Sequence, residues 1–538
     1  MSPDRSVDLA LVLDLALDVE LDERDDLDAL LDKAARTGVL PKGAAGARDR
    51  FEIKSRAVDA RRGRVRLHYV LGQRESAAAQ VAPRQVAGLP VIIVGAGPAG
   101  LFCAYELARA GVAAIVLDRG KQVQARRRDL KGLTQHGIVD PDSNYCFGEG
   151  GAGTYSDGKL YTRSHKRGDV RDVIEILVEH GAPPEILVDA RPHIGSNRLP
   201  KVVTALREHL AQVGVPVHFG ARVTELVRDA KGHAIGVRTA AGEEFVGRAV
   251  VVASGHSATD MLEVQARAGA RLEAKPFAMG VRIEHPQAMI DRIQYGKHAG
   301  HPKLRAAPYR VAYTPADGRG AYSFCMCPGG WIVPAATEAG GLVVNGMSLS
   351  RRDSPYANSG LVVAVELADL ERLGLTAQLG PMAGVELQRR LERAGFAAGG
   401  GGLRAPATRA TDFVQGRGSS TVPASSYEPG LVAADLGAVL DTTALPLAAR
   451  LREALVVFDR QLRGYASENA VLIGVESRTS SPVRVPRDAS SLQSPTLPGL
   501  YPCGEGAGYA GGIVSAAMDG MRVARAVVAA GSRAGEAA

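Results

Sequence analysis

The chain has few cysteines and lacks the long apolar runs that cross membranes. Its 538 residues contain five cysteines, namely Cys103, Cys146, Cys325, Cys327 and Cys503. So small and odd a number argues against a secreted disulfide framework. No apolar run reaches the roughly 20 residues of a transmembrane helix, and the N-terminus is acidic where a signal peptide would be basic. We therefore expect a cytoplasmic protein with reduced thiols and no membrane partner.

The charge balance is modest but uneven along the chain. The formal net charge is +7, and hydrophobic residues make up 46% of the sequence, enough for the cores of two or three domains. Residues 1–32 carry mainly acidic charges, whereas residues 33–74 carry mainly basic ones. A basic surface could bind nucleic acid, but we favour mutual neutralisation of the two halves within one small domain. A nucleic-acid partner is accordingly not expected.

The strongest motif is an apolar run, Val91–Val94, that continues into a glycine-rich turn, Gly95–Gly100. The pattern predicts a buried strand, a helix over 101–110 and a second strand over 113–117 that ends at Asp118. In such a turn the first glycine permits the sharp bend, the second lets a pyrophosphate approach, and the third allows close packing. Asp118 is placed to accept hydrogen bonds from a ribose. The predicted contacts of this dinucleotide cradle are Gly95, Gly97, Pro98, Ala99, Gly100, Asp118 and Arg119.

A second glycine-rich segment, residues 499–512, precedes a helical run near the C-terminus. An NAD-binding domain does not need it, whereas the long FAD molecule requires a second loop and a second helix N-terminus, so the sequence predicts FAD. A third segment, the small apolar strand 249–255, and the loop 148–153 complete the predicted site. Within that loop Glu149 should turn toward a ribose or point away from the diphosphate. The further predicted FAD contacts are Gly150, Gly151, Gly153, Val223, Ser254, Gly255, Gly504, Glu505, Gly511, Gly512 and Ile513.

Several segments resemble a group of uncharacterised FAD-dependent dehydrogenases once described as NAD(FAD)-utilising. The segments are residues 147–160, 275–282, 324–330, 474–482 and 504–520. The resemblance covers nearly the whole chain, and it implies a glutathione-reductase-like FAD domain, an inserted substrate domain and a small N-terminal domain. Two residues depart from the usual pattern, Asp118 in place of Glu and Ser254 in place of Thr. Both keep the hydrogen-bonding chemistry.

The expected fold is α/β, with a Rossmann-like FAD-binding domain formed by residues 91–258 and 471–538. Residues 259–470 form an inserted antiparallel-sheet substrate domain, with a meander over 308–347 and helical spacing over 361–394. Residues 1–80 form a small α+β domain of the ferredoxin-like type. Its expected elements are strands over 9–19, 51–58 and 65–71 and a helix over 24–35.

The catalytic candidates are Lys159, Glu476, Arg478, Cys325 and Cys327. Lys159 could place a cation near flavin or substrate. Glu476 and Arg478 could face one cleft as an acid and an anion clamp, or form a structural ion pair. On an extended strand the Cα atoms of the two cysteines would lie about 6.6 Å apart, near the limit for a disulfide. We expect two thiols on one sheet face, whose part in redox chemistry stays open, and no metal site.

These features predict an FAD-dependent oxidoreductase that transfers hydride between a small-molecule substrate, or NAD(P)H, and bound flavin. Because only one dinucleotide motif is visible, direct dehydrogenation of a substrate is preferred over a built-in nicotinamide domain. Two alternatives remain: a flavin-dependent protein that modifies or binds RNA, and a non-catalytic flavin sensor that uses its thiols. A homo-oligomer also remains open.

Overall fold

The computed structural model describes residues 14–40, 48–74, 81–161 and 168–536. Its strands are β1 (Leu15–Glu20), β2 (Phe51–Asp59), β3 (Arg66–Gln73), β4 (Ala87–Val94), β5 (Val112–Leu117), β6 (Val217–His218), β7 (Val223–Arg228), β8 (Ala234–Thr239), β9 (Glu244–Val246), β10 (Ala249–Val252), β11 (Glu273–Ala274), β12 (Phe277–Pro286), β13 (Ala312–Tyr313), β14 (Ala321–Cys327), β15 (Gly330–Pro334), β16 (Val344–Ser348), β17 (Tyr356–Val365), β18 (Ala405–Arg409), β19 (Leu431–Ala433), β20 (Val471–Glu476), β21 (Val483–Arg484) and β22 (Leu500–Pro502). Its helices are α1 (Leu27–Arg36), α2 (Pro98–Arg109), α3 (Val123–His136), α4 (Val170–Glu179), α5 (Leu199–Gln212), α6 (Thr259–Arg267), α7 (Gln287–Tyr295), α8 (Leu367–Arg372), α9 (Leu375–Leu379), α10 (Ala383–Ala398), α11 (Ala410–Val414), α12 (Leu436–Asp441), α13 (Leu447–Gln461) and α14 (Ile513–Glu536).

The N-terminal unit is a three-stranded antiparallel sheet of order β1-β3-β2 with helix α1. Alternate residues of β1 are buried, as expected for a sheet with one face on a core. The ferredoxin-like prediction needs a correction, because β3 is followed in the described chain by the FAD-domain strand β4 and not by the second helix and strand of that fold. Residues 9–13 of the predicted first strand lie outside the described residues.

The basic charges of this unit are largely paired with acidic ones. Arg66 contacts Glu20 at 3.0 Å, and Arg61 contacts Asp59 at 2.8 Å. A third arginine, Arg56, reaches Asp189 at 2.7 Å. Of these three pairs, Arg66 with Glu20 joins the acidic and basic halves as the charge pattern predicted, whereas Arg61 pairs within the basic half and Arg56 pairs outside the unit.

The FAD-binding unit is built on a five-stranded parallel sheet of order β22-β10-β4-β5-β6. Residues Val91–Val94 of β4 are all buried, because a parallel sheet is covered on both faces. Helix α2 begins at Pro98, three residues before the predicted start, since proline is well tolerated at the first helical position. Strand β5 matches the predicted second strand within one residue.

The inserted unit contains a seven-stranded, mainly antiparallel sheet of order β13-β14-β17-β12-β20-β18-β19. The predicted continuous meander is wrong: β14 pairs with β17, while β15 and β16 form a separate hairpin. The chain leaves the large sheet at Gly329, whose φ is +51° and whose close neighbour is the carbonyl of Arg352. Residues 361–365 belong to strand β17 and not to a helix, because this run of apolar residues is buried between two neighbouring strands. Strand β20 also lies in this sheet, so we propose that the FAD-binding segment resumes after Glu476.

Helices α2 and α14 pack very closely although they are far apart in the chain. A Cβ at Gly520 would lie 2.0 Å from the carbonyl oxygen of Ala99. This approach brings the N-termini of both helices together, and Gly153 sits between them. A Cβ at Gly153 would lie 3.2 Å from Ile513 and 3.5 Å from Pro98. Across the described ranges we find no helix with the length and apolar character needed to span a bilayer.

The helix contact generates a test of the fold. Gly520→Ala places a methyl group against the Ala99 carbonyl, so we expect it to lower the free energy of unfolding by about 1–3 kcal/mol. The matched control is Gly132→Ala in helix α3, where the added Cβ meets nothing within 4 Å. That variant should be neutral or more stable by about 0.4–1 kcal/mol. Urea unfolding compares the two, and equal effects would contradict the packing argument.

Candidate functional site

A cavity of about 420 Å³ opens at the carboxyl ends of β4, β5 and β10. This is the position at which open α/β sheets bind their ligands. Its lining includes Asp118, and it also includes Gly512, Lys159 and Cys325. The two glycine-rich segments therefore border a single continuous space.

Most of the predicted site residues line this cavity. Those of the predicted FAD set are Gly95, Gly97, Pro98, Ala99, Asp118, Arg119, Gly151, Gly153, Val223, Ser254, Gly255, Glu505, Gly511, Gly512 and Ile513. Those of the predicted catalytic set are Lys159, Cys325 and Arg478. The residues that lie outside the lining are Gly100, Gly150, Gly504, Glu476 and Cys327.

The three glycines of the first turn have different surroundings. A Cβ at Gly95 would lie 2.4 Å from the Ala253 carbonyl, and one at Gly100 would lie 1.9 Å from the Gly95 carbonyl. Gly97 is different, because its φ is −79° and its nearest neighbour would be the Cα of Gly151 at 3.9 Å. The protein itself would accept a side chain there. The free space beside Gly97 instead suits a ligand that needs close contact with the backbone.

Asp118 ties the two loops of the cradle together. Its Oδ2 accepts a hydrogen bond from the Ala96 N–H at 2.8 Å, and its Oδ1 accepts one from the Gly120 N–H at 2.8 Å. A carboxylate has about four acceptor positions, so two remain for the hydroxyls of a ribose.

The loop that covers the cradle is held from behind by Arg126 of helix α3. This side chain is fully buried, and it donates hydrogen bonds of 2.8–2.9 Å to the carbonyl oxygens of Asn144, Tyr145, Glu149 and Gly151. The Gly151 carbonyl points at Arg126, so the N–H of the same peptide bond, which belongs to Ala152, points away from Arg126. Ala152 and Gly153 line the cavity, so their backbone suits an anion such as a diphosphate.

The carboxylate of Glu149 points away from the cavity. It accepts hydrogen bonds from the Val123 N–H at 2.8 Å and from Arg207 Nε at 2.7 Å. The first bond satisfies the start of helix α3, and the second neutralises the charge. Of the two orientations expected for Glu149, the structure has the one that avoids repulsion of a diphosphate.

Among the residues that line the cavity, Lys159 is surrounded by one carboxylate and two thiols. Its Nζ lies 3.3 Å from Asp157 Oδ2, 3.7 Å from Cys325 Sγ and 3.5 Å from Cys327 Sγ. Asp157 is itself held by Arg352 at 2.6 Å. Burial acts to lower the pKa of Lys159, but the combined attraction of Asp157, Cys325 and Cys327 outweighs it and raises that pKa. Lys159 is therefore a fixed cation, and its side chain remains 33% exposed, facing the cavity.

The two cysteines are not on a regular extended strand. Phe324 pairs with Gly360 and Cys327 with Asn358, so β14 has one residue more than its partner over this stretch. Such a β-bulge breaks the alternation of side chains. Cys325 has a φ of +46°, which is rare for a residue other than glycine. The regular-strand assumption was therefore wrong, although both sulfurs do converge, on Lys159.

Glu476 and Arg478 belong to two separate ion pairs. Glu476 is buried and contacts Arg282 at 2.7 Å, whereas Arg478 forms a double hydrogen bond with Glu392, each bond 2.8 Å long. The hypothesis that both residues face one cleft is therefore wrong for Glu476. Burial raises the pKa of Glu476 to about 7 despite the opposing attraction of Arg282. The pKa of Arg282 is itself raised by Glu476, although its burial acts the other way, so the carboxyl group is the one that titrates near neutral pH.

Three important residues were not among the predicted site residues: Arg126, Asp157 and Arg282. Asp157 and Arg282 lie in segments that carried the family resemblance, but a single sequence does not show which charged residues are buried. Arg282 is 194 residues from its partner Glu476, so no local spacing reveals the pair.

Three family models match parts of the chain. Residues 276–479 match an "FAD-dependent protein, C-terminal domain-like" family, residues 88–136 an "FAD binding domain", and residues 158–279 a "flavin containing amine oxidoreductase" family. An uncharacterised protein of Clostridium beijerinckii is 43% identical over 443 residues, which cover 81% of this chain and 80% of that protein. FAD is therefore the cofactor, and the chain is a flavin-dependent oxidoreductase.

More distant similarities include one further sequence relative and two solved structures. The FAD-dependent monooxygenase nodY2 of Hypoxylon pulicicidum is 28% identical over 38% of this chain and 44% of its own length. The solved structure of a 3-ketosteroid dehydrogenase from Rhodococcus jostii RHA1 covers 83% of this chain and 98% of its own, with 14% identity and a TM-score of 0.32. A mutant of the flavin-dependent brominase Bmp2 covers 82% of this chain and 80% of its own, with 11% identity and a TM-score of 0.35. Structural similarity at this level carries no argument about the reaction.

The space beside Gly97 gives a test of cofactor binding. We expect purified wild-type protein to be yellow and Gly97→Val to fold but lose most of its FAD, because the new side chain enters the cavity. Loss of charged hydrogen bonds worth about 1.5–3 kcal/mol corresponds to roughly 10–150-fold weaker binding. Visible absorbance measures bound flavin, and circular dichroism checks the fold. Gly132→Ala is the matched control, and a fully yellow Gly97→Val protein would count against the assignment of this cavity.

The buried Glu476 predicts a pH dependence of stability. Because its folded-state pKa is raised from 4.5 to about 7, its contribution to stability is complete below about pH 4.5 and is lost as the pH rises to about 7. The free energy of unfolding of wild type, measured relative to Glu476→Gln, should therefore fall by about 3 kcal/mol across this range. Urea unfolding at several pH values measures it. A constant difference between the two proteins would show that Glu476 does not titrate there.

Proposed function

Because the chain belongs to the same family as the uncharacterised Clostridium beijerinckii protein and is a flavin-dependent oxidoreductase, we propose that it transfers hydride between a small-molecule substrate, or NAD(P)H, and FAD. The observation that carries this proposal is the continuous cavity from Asp118 to Gly512. FAD, when bound, supplies the hydride acceptor or donor. The protein binds it, orients it and positions charge at the reacting end.

Different residues of the cavity suit the ribose, the diphosphate and the isoalloxazine ring of FAD. Asp118 would hold the ribose of the adenosine half with its two remaining acceptor positions. The diphosphate would occupy the space beside Gly97, between the N-terminus of α2 and the loop at Ala152 and Gly153. Both the helix N-terminus and the loop N–H groups favour an anion there.

The isoalloxazine ring would extend toward Gly511, Gly512 and Ile513, where helix α14 begins. A helix N-terminus carries about half a positive charge. At this position it would stabilise the negative charge that reduced flavin acquires. Helix α14 thereby favours the uptake of hydride.

Lys159 is the cavity residue best suited to bind a substrate. Its ammonium group is a fixed cation held by Asp157, and it faces the open space that the substrate would share with the ring. We propose that Lys159 binds an anionic or carbonyl oxygen of the substrate and so orients the carbon that exchanges hydride. Arg478 also lines the cavity, but all three of its guanidinium nitrogens donate to protein groups, two to Glu392 and one to Thr337, so its role is to hold the cavity wall.

The alternatives have less support. The RNA-modifying hypothesis required an unpaired basic surface in the N-terminal unit, yet Arg61 and Arg66 have carboxylate partners within that unit, and Arg56 is paired with Asp189 outside it. NAD(P)H stays in the proposal as a diffusible donor. A flavin sensor without turnover is separated from an enzyme by the experiment below.

The experiment is anaerobic bleaching of the bound flavin by a panel of donors that includes NADH, NADPH and small organic acids and alcohols. We expect one class of donor to bleach the wild-type flavin. Lys159→Met should then slow bleaching by that donor by about tenfold or more, because a charged contact is lost. The matched control is Lys201→Met, which changes an exposed lysine of helix α5. If dithionite bleaches the flavin and no donor does, the hydride-transfer proposal is wrong.

A further inference from the structure

The two thiols beside Lys159 occupy different depths at the reacting end of the cavity. Cys325 lines the cavity, whereas Cys327 is fully buried behind it. Both are free cysteines, and both sulfurs lie within 3.7 Å of the same ammonium group. Cys327 also accepts a contact of 3.7 Å from Arg282. The Cys325 thiol therefore faces the cofactor space, and the Cys327 thiol lies buried next to it.

The backbone is strained at the point that brings these sulfurs together. Cys325 adopts a φ of +46° within the β-bulge of β14, and a left-handed conformation is energetically unfavourable for a residue with a side chain. The Arg282 guanidinium donates to the Cys325 carbonyl at 2.7 Å and so holds this conformation. Two cysteines needed only for packing would not require the bulge.

The surrounding charges favour one thiolate. Lys159, Arg282 and Arg352 contribute three positive charges, whereas Asp157 contributes one negative charge and Glu476, whose pKa is about 7, contributes only part of one near neutral pH. This surplus of positive charge favours a Cys325 thiolate. The hydrogen bond from Cys327, aided by Lys159 and Arg282, lowers the pKa of Cys325 despite its burial, and the same hydrogen bond raises the pKa of Cys327. Cys325 is therefore the thiolate, and Cys327 keeps its proton and donates it to the Cys325 carbonyl at 3.4 Å. A thiolate next to a thiol is the state from which a disulfide forms.

We propose that Cys325 and Cys327 are a redox-active pair that exchanges two electrons with the bound FAD. In the forward direction the Cys325 thiolate and the Cys327 thiol are oxidised, and an S–S bond forms between them. The two electrons and the proton of Cys327 pass to the oxidised flavin, which becomes the reduced anion. In the reverse direction reduced flavin opens the disulfide, and Lys159 stabilises the Cys325 thiolate that leaves. The proposal rests on FAD in the cavity but not on the identity of the substrate.

The test is an anaerobic reductive titration of the holoprotein with dithionite after oxidation in air. We expect the wild type to take up one two-electron equivalent more than its FAD accounts for. The variants Cys325→Ser and Cys327→Ser should take up only the equivalent of the flavin. The control variant Cys103→Ala changes a cysteine in the core of helix α2 and should keep the wild-type value. Because dithionite is the donor, the result does not depend on whether a substrate is found.

A second readout follows the thiols directly and does not need the serine variants to fold. After air oxidation and alkylation in denaturant, the tryptic peptide that spans residues 320–351 should be unalkylated and lighter by two hydrogens. In the flavin-free Gly97→Val protein the disulfide should form at least about tenfold more slowly, since the flavin is the route for the electrons. Two alkylated thiols in the air-oxidised wild type, together with uptake of only the flavin equivalent, would overturn the proposal. A disulfide that links two chains on a non-reducing gel would also overturn it.

Discussion

The contact between helices α2 and α14 determines where the site can be. Ala99 and Gly520 approach so closely that even one added methyl group would collide with the Ala99 carbonyl. As a result, two helices that lie more than 400 residues apart present their N-termini to one cavity. Each N-terminus carries about half a positive charge, and two such ends side by side repel each other. In the proposed complex, a dianionic diphosphate and a flavin that becomes negative on reduction would relieve this repulsion.

A second constraint is the docking of the inserted unit onto the FAD-binding unit next to Lys159. A Cβ at Gly195 would lie 2.2 Å from the Ser350 N–H nitrogen, and Ser196 N donates to the Ser348 carbonyl at 3.0 Å. Asp157 bonds across the same boundary to Arg352. Lys159 comes from one unit and both thiols come from the other, so their arrangement exists only while this boundary is closed. The buried ion pairs make the boundary specific, although the desolvation of charges limits how much they stabilise it.

The sequence was sufficient where the interactions are local. The run from Val91 to Asp118 predicted a strand, a turn, a helix and a second strand, because hydrophobic periodicity and glycine geometry act over few residues. It was insufficient where partners are distant. Nothing near residues 361–365 shows that two strands cover them, and nothing near Cys325 shows a bulge set by pairing with β17. For the same reason the partners of Arg126 and Arg282 could not be identified from the sequence, because a buried charge is recognised only by the groups that surround it in the fold.

The bulge at Cys325 shows why the missing information is also the information that matters for chemistry. The sequence predicted two thiols on one face of a regular strand, and the two sulfurs do converge although the strand is bulged, but the sequence says nothing about their reactivity. Reactivity depends on the cation next to them and on their proton. Lys159 provides the cation, Arg282 holds the strained carbonyl of Cys325, and the surplus of positive charge around the pair favours the loss of a proton. Each of these contributions comes from a different part of the chain.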